Sequence, residues 1–107
     1  MIDSLEVPGA FVVVPRCERL DASQALAFRS DVLPLIAGRP LVILDLRDVA
    51  FVDSTGLGCI VAMQKRLTPD GRLRLANVGS RVSALLRLTG LARIFPTYES
   101  VEQALAA

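Results

Sequence analysis

The sequence predicts an α/β domain with a mixed, mostly parallel sheet and helices packed against it. Two opening strand-like segments are followed by alternating helix-like and strand-like segments, an order typical of parallel strands joined by helical crossovers. Leu41–Leu46 is apolar throughout except for Asp45, as expected for a strand covered on both faces. With 107 residues, we expect one domain over residues 1–107.

The first half of the chain predicts a hairpin and a helix. Ile2–Val7 and Ala10–Pro15 flank a Pro-Gly pair, and the second segment is rich in β-branched residues. Asp21 can cap the following helix, and Gln24 lies where a capping box needs it. Pro34 is expected to kink that helix or to lie near its end. The apolar residues at helical spacing are Ala25, Leu26, Phe28, Val32, Leu33 and Ile36.

The second half continues the alternation. Arg72–Ala76 alternates polar and apolar residues, which predicts a strand with its arginines on the wet face. Ser80 is expected to cap a helix that Gly90 closes. Ile94–Thr97 is at most a short edge strand because its proline cannot donate to a ladder. Ser100, with a glutamine three residues later, predicts a capping box for a final helix.

Composition excludes several function classes. The net charge of +1 gives no electrostatic reason to expect nucleic acid or an anionic membrane. No apolar run approaches the roughly 18 residues of a spanning helix. Acids stand where a signal peptide needs basic residues, so we expect a cytoplasmic protein with reduced thiols. The absence of histidine removes Ser-His-Asp triads, Cys-His pairs and most zinc sites. No cofactor or metal is expected.

Phe51–Ile60 is the segment whose residues most strongly indicate a functional site. It places two hydroxyls, Ser54 and Thr55, between Asp53 and a pair of glycines, and it predicts a strand end, a tight turn and a helix start. A helix start offers free N–H groups and a positive dipole end, which suit a phosphate. The alternative is an ordinary cap in a turn.

The glycines of this segment weigh against the ordinary cap. Gly56 and Gly58 both fall in the expected first turn, where each costs up to about 1 kcal/mol relative to alanine. The usual compensation is close approach by another backbone or by a nucleotide. Leu57, between them, is predicted to stand out as an apolar knob for a partner.

Two kinds of site are excluded, and one fits. A nucleophile elbow needs Gly-x-Ser-x-Gly and a base, but Val52 precedes Ser54 by two residues and the chain has no histidine. The P-loop pattern is absent. A hydroxyl that receives a phosphoryl group fits better, because a helix start tolerates the added charge while a docked partner would not.

The chain resembles the STAS domain, specifically the bacterial anti-sigma factor antagonists. The resemblance covers nearly the whole chain. It rests on Leu20-Asp21-Ala22, Leu44-Asp45-Leu46, Phe51–Gly58, Leu88–Leu91 and Ile94-Phe95. It implies the STAS fold, with about four to five strands in a mixed, mostly parallel central sheet and about four helices.

The resemblance also implies partner switching. In that family the unphosphorylated antagonist binds an anti-sigma factor, itself a serine kinase with a histidine-kinase-like ATPase fold, and so releases the sigma factor. Phosphorylation of the serine after the motif aspartate, here Ser54, ends binding, and a serine phosphatase restores it. Thr55 is the weaker acceptor candidate. The residues expected at the docking face are Asp21, Asp53, Ser54, Thr55, Gly56, Leu57, Gly58 and Leu88.

Other members of the family leave alternatives open. One is a non-switching STAS subunit of a lipid-transport ATPase or another cytoplasmic assembly. Another is a small-molecule binder. The retained Ser54 favours the phosphorylated antagonists, because a structural subunit needs a docking surface but not a phosphoacceptor.

Overall fold

The computed structural model describes all residues from Met1 to Ala107 and contains seven strands in two sheets. In chain order the strands are β1 (Ile2–Val7), β2 (Ala10–Pro15), β3 (Arg19–Leu20), β4 (Leu41–Asp45), β5 (Phe51–Val52), β6 (Arg72–Ala76) and β7 (Thr97–Tyr98). The central sheet has the order β1-β2-β4-β6-β7. Its β1–β2 pair is antiparallel and its other three pairs are parallel. The two-residue strands β3 and β5 pair separately and in parallel.

Four α-helices complete the fold. They are α1 (Ala22–Ile36), α2 (Ser54–Arg66), α3 (Ser80–Leu88) and α4 (Val101–Ala106), with one 3-10 turn over Leu91–Arg93. Each of the first three connects two parallel strands of the central sheet. The predicted class, α/β with a mixed, mostly parallel sheet of four to five strands and about four helices, is confirmed.

The helices divide unequally between the two faces of the central sheet. One face packs against α1, α2 and α3 and forms the main core of 23 buried residues. The other face carries a four-residue cluster, in which Val12, Ile43 and Ala76 of the sheet meet Ala104 of α4. The six-residue helix α4 therefore covers the second face, whereas the three longer helices pack on the large core.

The predicted hairpin and the predicted central strand are both present. The hairpin pairs Val7 with Ala10 across its turn, and β4 is buried on both faces. Asp45, at the end of β4, accepts hydrogen bonds from the backbone N–H of Arg47, the Arg47 guanidinium and the Asn77 side chain. Burial alone raises the pKa of Asp45, but these hydrogen bonds outweigh it and hold the pKa below its ordinary value.

Three predictions about helix ends are wrong in part. Ser80 is the first residue of α3, and the cap is Gly79, which supplies no side chain. Asp21 caps α1 through the N–H of Ser23, and Gln24 forms no reciprocal bond. Ser100 does cap α4, but the Gln103 side chain bonds the N–H of Glu99 instead of that of the cap. Pro34 lies in the last turn of α1, as one of its two alternatives predicted.

Several side chains face differently from the predicted pattern. Leu26 fits the helical spacing of α1 yet is 78% exposed. Arg74 is half-buried and donates to the carbonyl of Ala104 at 2.9 Å, so it ties α4 to the sheet and is not on a wet face. The final strand is β7, three residues after the start of the predicted Ile94–Thr97 segment. Of the two free thiols, Cys59 is buried and Cys17 is half-buried.

Candidate functional site

The Asp53 carboxylate organises the start of α2. Its Oδ1 accepts from the N–H of Gly56 at 3.0 Å and from the hydroxyl of Thr55. The hydroxyl bond and then the Gly56 N–H hold the pKa of Asp53 below its ordinary value, so the group is ionised at neutral pH. The ordinary helix cap, which the sequence left as the alternative, is therefore present, and Asp53 supplies it.

The same carboxylate reaches a second helix. Its Oδ2 accepts from the N–H of Ala22, the first residue of α1, at 3.2 Å. The β3–β5 pair brings these helix starts together because Leu20 lies opposite Val52 in the register. One side chain thus fastens the N-terminal ends of two neighbouring helices.

Asp21 provides a separate cap for α1. It accepts from the Ser23 hydroxyl at 2.6 Å and the Ser23 N–H at 3.1 Å, and Arg19 donates to its other oxygen. The Ser23 hydroxyl, followed by Arg19, lowers the pKa of Asp21. Two ionised carboxylates therefore stand beside the N-terminal ends of α1 and α2.

Ser54 is the exposed first residue of α2. Its hydroxyl has no hydrogen-bond partner, whereas the hydroxyl of its neighbour Thr55 is engaged with Asp53. The structure therefore places an accessible, uncommitted hydroxyl at the positive end of the α2 dipole. Thr55 is exposed as well, but its oxygen is part of the cap.

The two glycines of the segment have different surroundings. A Cβ on Gly56 would lie 2.1 Å from the carbonyl oxygen of Leu20 and 2.8 Å from a methyl of Val52. The close approach predicted for the glycines is thus met at Gly56 by the backbone of β3. A Cβ on Gly58 would meet nothing within 4 Å, so that position is open surface.

Leu57 is not an apolar knob. Its side chain is 7% exposed and belongs to the main core, so that prediction is wrong. The physical reason is the turn geometry: with Gly56 pressed on β3, the next residue points with Ile60 into the space between α2 and the sheet. Leu57 supports the site from beneath.

Leu88, by contrast, is 85% exposed at the end of α3. One and two turns earlier in α3, Leu85 and Arg81 line a shallow groove with Phe51 and Val52, the residues that lead into Asp53. The Arg19 guanidinium lies 4.2 Å from the centre of the Phe51 ring. The exposed apolar edge of α3 therefore continues from the α2 start.

The side chains of this site form hydrogen bonds, carry charge or are apolar. The chain has no cluster of three His, Cys, Asp or Glu residues that could hold a metal ion. None of its helices combines the length and apolar character needed to span a membrane. What the geometry offers is a hydroxyl, two carboxylates and an apolar margin on one surface.

Comparison with known proteins identifies the family. Residues 2–104 match the STAS domain family model, so the chain belongs to the STAS domain family. It is 34% identical over 65 residues to the anti-sigma F factor antagonist of Paenibacillus polymyxa, covering 60% of this chain and 56% of that relative. It is also 34% identical over 73 residues to the anti-sigma-B factor antagonist of Bacillus subtilis strain 168, covering 67% of each.

A solved structure agrees. The crystal structure of an anti-sigma factor antagonist from Mycobacterium paratuberculosis superposes with a TM-score of 0.88 at 25% identity, covering 99% of this chain and 91% of that one. The resemblance that the motifs indicated is confirmed. The matched part of the chain spans just over half the length of the Paenibacillus relative.

Two features of the site lay beyond the sequence pattern. The bond from Ala22 to Asp53 joins residues 31 positions apart and depends on β3 and β5, two-residue strands that leave no periodic signal. The groove beside Phe51 needs the placement of α3. The one sequence signal that could have indicated this groove is the i, i+4 spacing of the basic Arg81 and the apolar Leu85.

Proposed function

We propose that this protein is a cytoplasmic anti-sigma factor antagonist whose binding is switched off by phosphorylation of Ser54. The partner is an anti-sigma factor that is also a serine kinase with a histidine-kinase-like ATPase fold, and a serine phosphatase reverses the modification. The protein itself is a binding module and not an enzyme. The relatives named above, together with the Ser54 geometry, support this role.

The observation that carries the proposal is the state of the Ser54 hydroxyl. It is exposed and unpartnered, whereas the adjacent Thr55 hydroxyl is bound to Asp53. The kinase transfers the γ-phosphoryl group of ATP to Ser54 Oγ, which loses its proton, and ADP leaves. Hydrolysis by the phosphatase returns the hydroxyl and releases inorganic phosphate.

The electrostatics of the site explain why modification weakens docking without unfolding the domain. The phosphate adds about −1.5 to −2 charge at neutral pH. The α2 dipole stabilises that charge at the first residue of the helix. A partner surface that fits against the hydroxyl and the ionised Asp53 meets a much larger negative charge and loses its fit.

The docking surface that we propose surrounds Ser54. It includes Asp21, Asp53 and Thr55, the open surface at Gly58, and Leu88 on the neighbouring helix. Gly56 and Leu57 shape this surface from below, because both are buried.

The decisive experiment combines the purified chain with ATP and an anti-sigma kinase and measures intact mass. We expect a gain of one phosphate, lost in Ser54→Ala and retained in Thr55→Ala. No gain with Ser54 intact, or a gain that survives Ser54→Ala, contradicts the proposal. A stable complex with a transport assembly that is indifferent to Ser54→Asp would instead support the non-switching subunit.

A further inference from the structure

A second groove runs along α1 beside the last turn of α2. It is lined by Leu26, Arg29, Ser30, Leu33, Pro34 and Arg66, and we call it the Leu26 groove. Leu33 forms its buried floor at 7% exposure, while Leu26 stands at its rim with 78% of its surface in solvent. Leu26 therefore buries little of its side chain within the domain.

The charge of the groove is positive. Arg29 of α1 and Arg66 of α2 are both exposed, and neither forms an ion pair. The one acid within these two helices is Asp31, two residues after Arg29 and so roughly 160° away around α1. Lys65 adds a further positive charge to the last turn of α2.

We propose that the Leu26 groove binds an acidic amphipathic helix of the anti-sigma partner, an inference that rests on the proposed function. Leu26, Ser30 and Leu33 are spaced i, i+4, i+7, so they lie along one face of α1 over about 10 Å. A partner helix with leucine-like residues at the same spacing fits along this face, and flanking carboxylates pair with Arg29 and Arg66.

Two observations favour this occupant. The groove lies on the same pair of helices whose first turns Asp53 joins beside Ser54. The charge of the groove is complementary to carboxylates, and its apolar floor favours apolar side chains over the backbone of a nucleic acid. Arg66 ends α2 twelve residues after Ser54, roughly 18 Å along the axis, so the Arg66 contact is remote from the phosphate.

The first test uses a synthetic helical peptide with leucines at i, i+4 and i+7 and flanking glutamates. Titration into the isotopically labelled chain should shift the amide signals of residues 26, 29, 33 and 66. Leu26→Asp and Arg29→Glu should each weaken binding by at least about tenfold. Leu5→Asp is the matched control, because Leu5 is 63% exposed and pairs with Val12 on the sheet face that α4 covers.

The alternatives give distinct results. Equal binding of a lysine-flanked peptide, shifts elsewhere, or no shifts at all would overturn the proposal. Leu26-dependent binding to phosphatidylglycerol vesicles without peptide binding would assign the groove to a membrane. Leu26-dependent self-association in light scattering, again without peptide binding, would assign it to a second copy of the chain. Either result overturns the proposal.

A second measurement separates this inference from the proposed function. With the anti-sigma kinase used in the phosphorylation assay, Leu26→Ala and the Arg29→Glu, Arg66→Glu double variant should weaken binding by about tenfold. If the kinase binds and phosphorylates Ser54 but ignores these variants, the groove inference fails and the proposed function stands. If the kinase does not bind the wild-type chain, the proposed function fails, and the peptide titration alone decides the chemistry of the groove.

Discussion

At the residue scale, Leu57 shows how one backbone contact redirects a side chain. We expect Leu57→Ala to lower the free energy of unfolding by about 2–5 kcal/mol, because it leaves a cavity beneath α2. Urea unfolding measures this loss. A loss of partner affinity with an unchanged urea midpoint would contradict the burial of Leu57.

The paired glycines give a matched experiment at the same scale. Gly56→Ala should lower the free energy of unfolding by about 3 kcal/mol, because the obstructing atom is the backbone carbonyl of Leu20. Gly58→Ala should raise it by about 0.5–1 kcal/mol, since its methyl meets open space and alanine favours the helix. Thermal unfolding measures both changes, and similar changes in the free energy of unfolding at the two positions would contradict this prediction.

Gly58 also separates stability from binding. On the docking surface that we propose, Gly58→Ala adds a methyl where a partner would lie. We therefore expect a more stable variant that binds the anti-sigma kinase less tightly in calorimetry. Unchanged affinity would place Gly58 outside the interface.

At the scale of elements, Asp53 and Asp21 differ in how many helices they hold. Asp53→Ala should speed amide exchange in the first turns of both α1 and α2, because its carboxylate accepts from Ala22 and Gly56. Asp21→Ala should affect the first turn of α1 alone. Hydrogen exchange followed by NMR resolves these amides. Protection at Ala22 that survives Asp53→Ala would refute the bridge.

Acid sensitivity follows from the same carboxylates. The pKa values of Asp21, Asp45 and Asp53 are all lower in the folded chain. Their stabilisation is therefore complete above the unfolded pKa of about 3.9 and is lost as the pH falls through the lower folded values. The free energy of unfolding should be level from about pH 7 to 5 and fall below about pH 4.

Urea unfolding across that range checks the dependence. Asp53→Asn should flatten the acid slope, because it removes a carboxylate whose pKa is lowered in the folded chain. An acid slope of the wild-type size in Asp53→Asn would show that the cap contributes nothing to it.

The elements also show what a sequence can and cannot predict. Continuous or alternating apolar runs predicted β2, β4 and β6 because such periodicity reflects burial directly. The predicted cap of α3 was wrong because glycine and serine both occur as caps, and the pattern does not distinguish Gly79 from Ser80. The pairing of β3 with β5 escaped prediction because two-residue strands have no period.

Some features of the candidate site could likewise be predicted from the sequence, and others could not. The Asp53 cap and the Ser54 position follow from local turn chemistry, which a short segment encodes. The exposure of Leu26 does not follow, because helical spacing marks a face of α1 but the width of that face depends on where α2 lies. Long-range placement decides which apolar residues are covered.

At the scale of the whole molecule, the switch should alter binding and leave the fold intact. Ser54→Asp should keep the wild-type thermal midpoint and weaken binding to the anti-sigma kinase by at least tenfold, about 1.4 kcal/mol. The reason is that Ser54 is exposed and its hydroxyl forms no hydrogen bond, while the added charge joins that of Asp53. Calorimetric titration that finds equal affinities would remove Ser54 from the regulated surface.

Because the Asp53 carboxylate bonds the first turns of two helices, it limits which substitutions related chains can accept at this site. If Ser54 is the phosphoacceptor that we propose, a descendant that lost this regulation would be free to exchange Ser54, whose hydroxyl forms no hydrogen bond. It would still need the preceding aspartate, because two helices are anchored to it. Under the proposed function, the acid of this pair is therefore a mark of architecture, and the hydroxyl beside it is the mark of regulation.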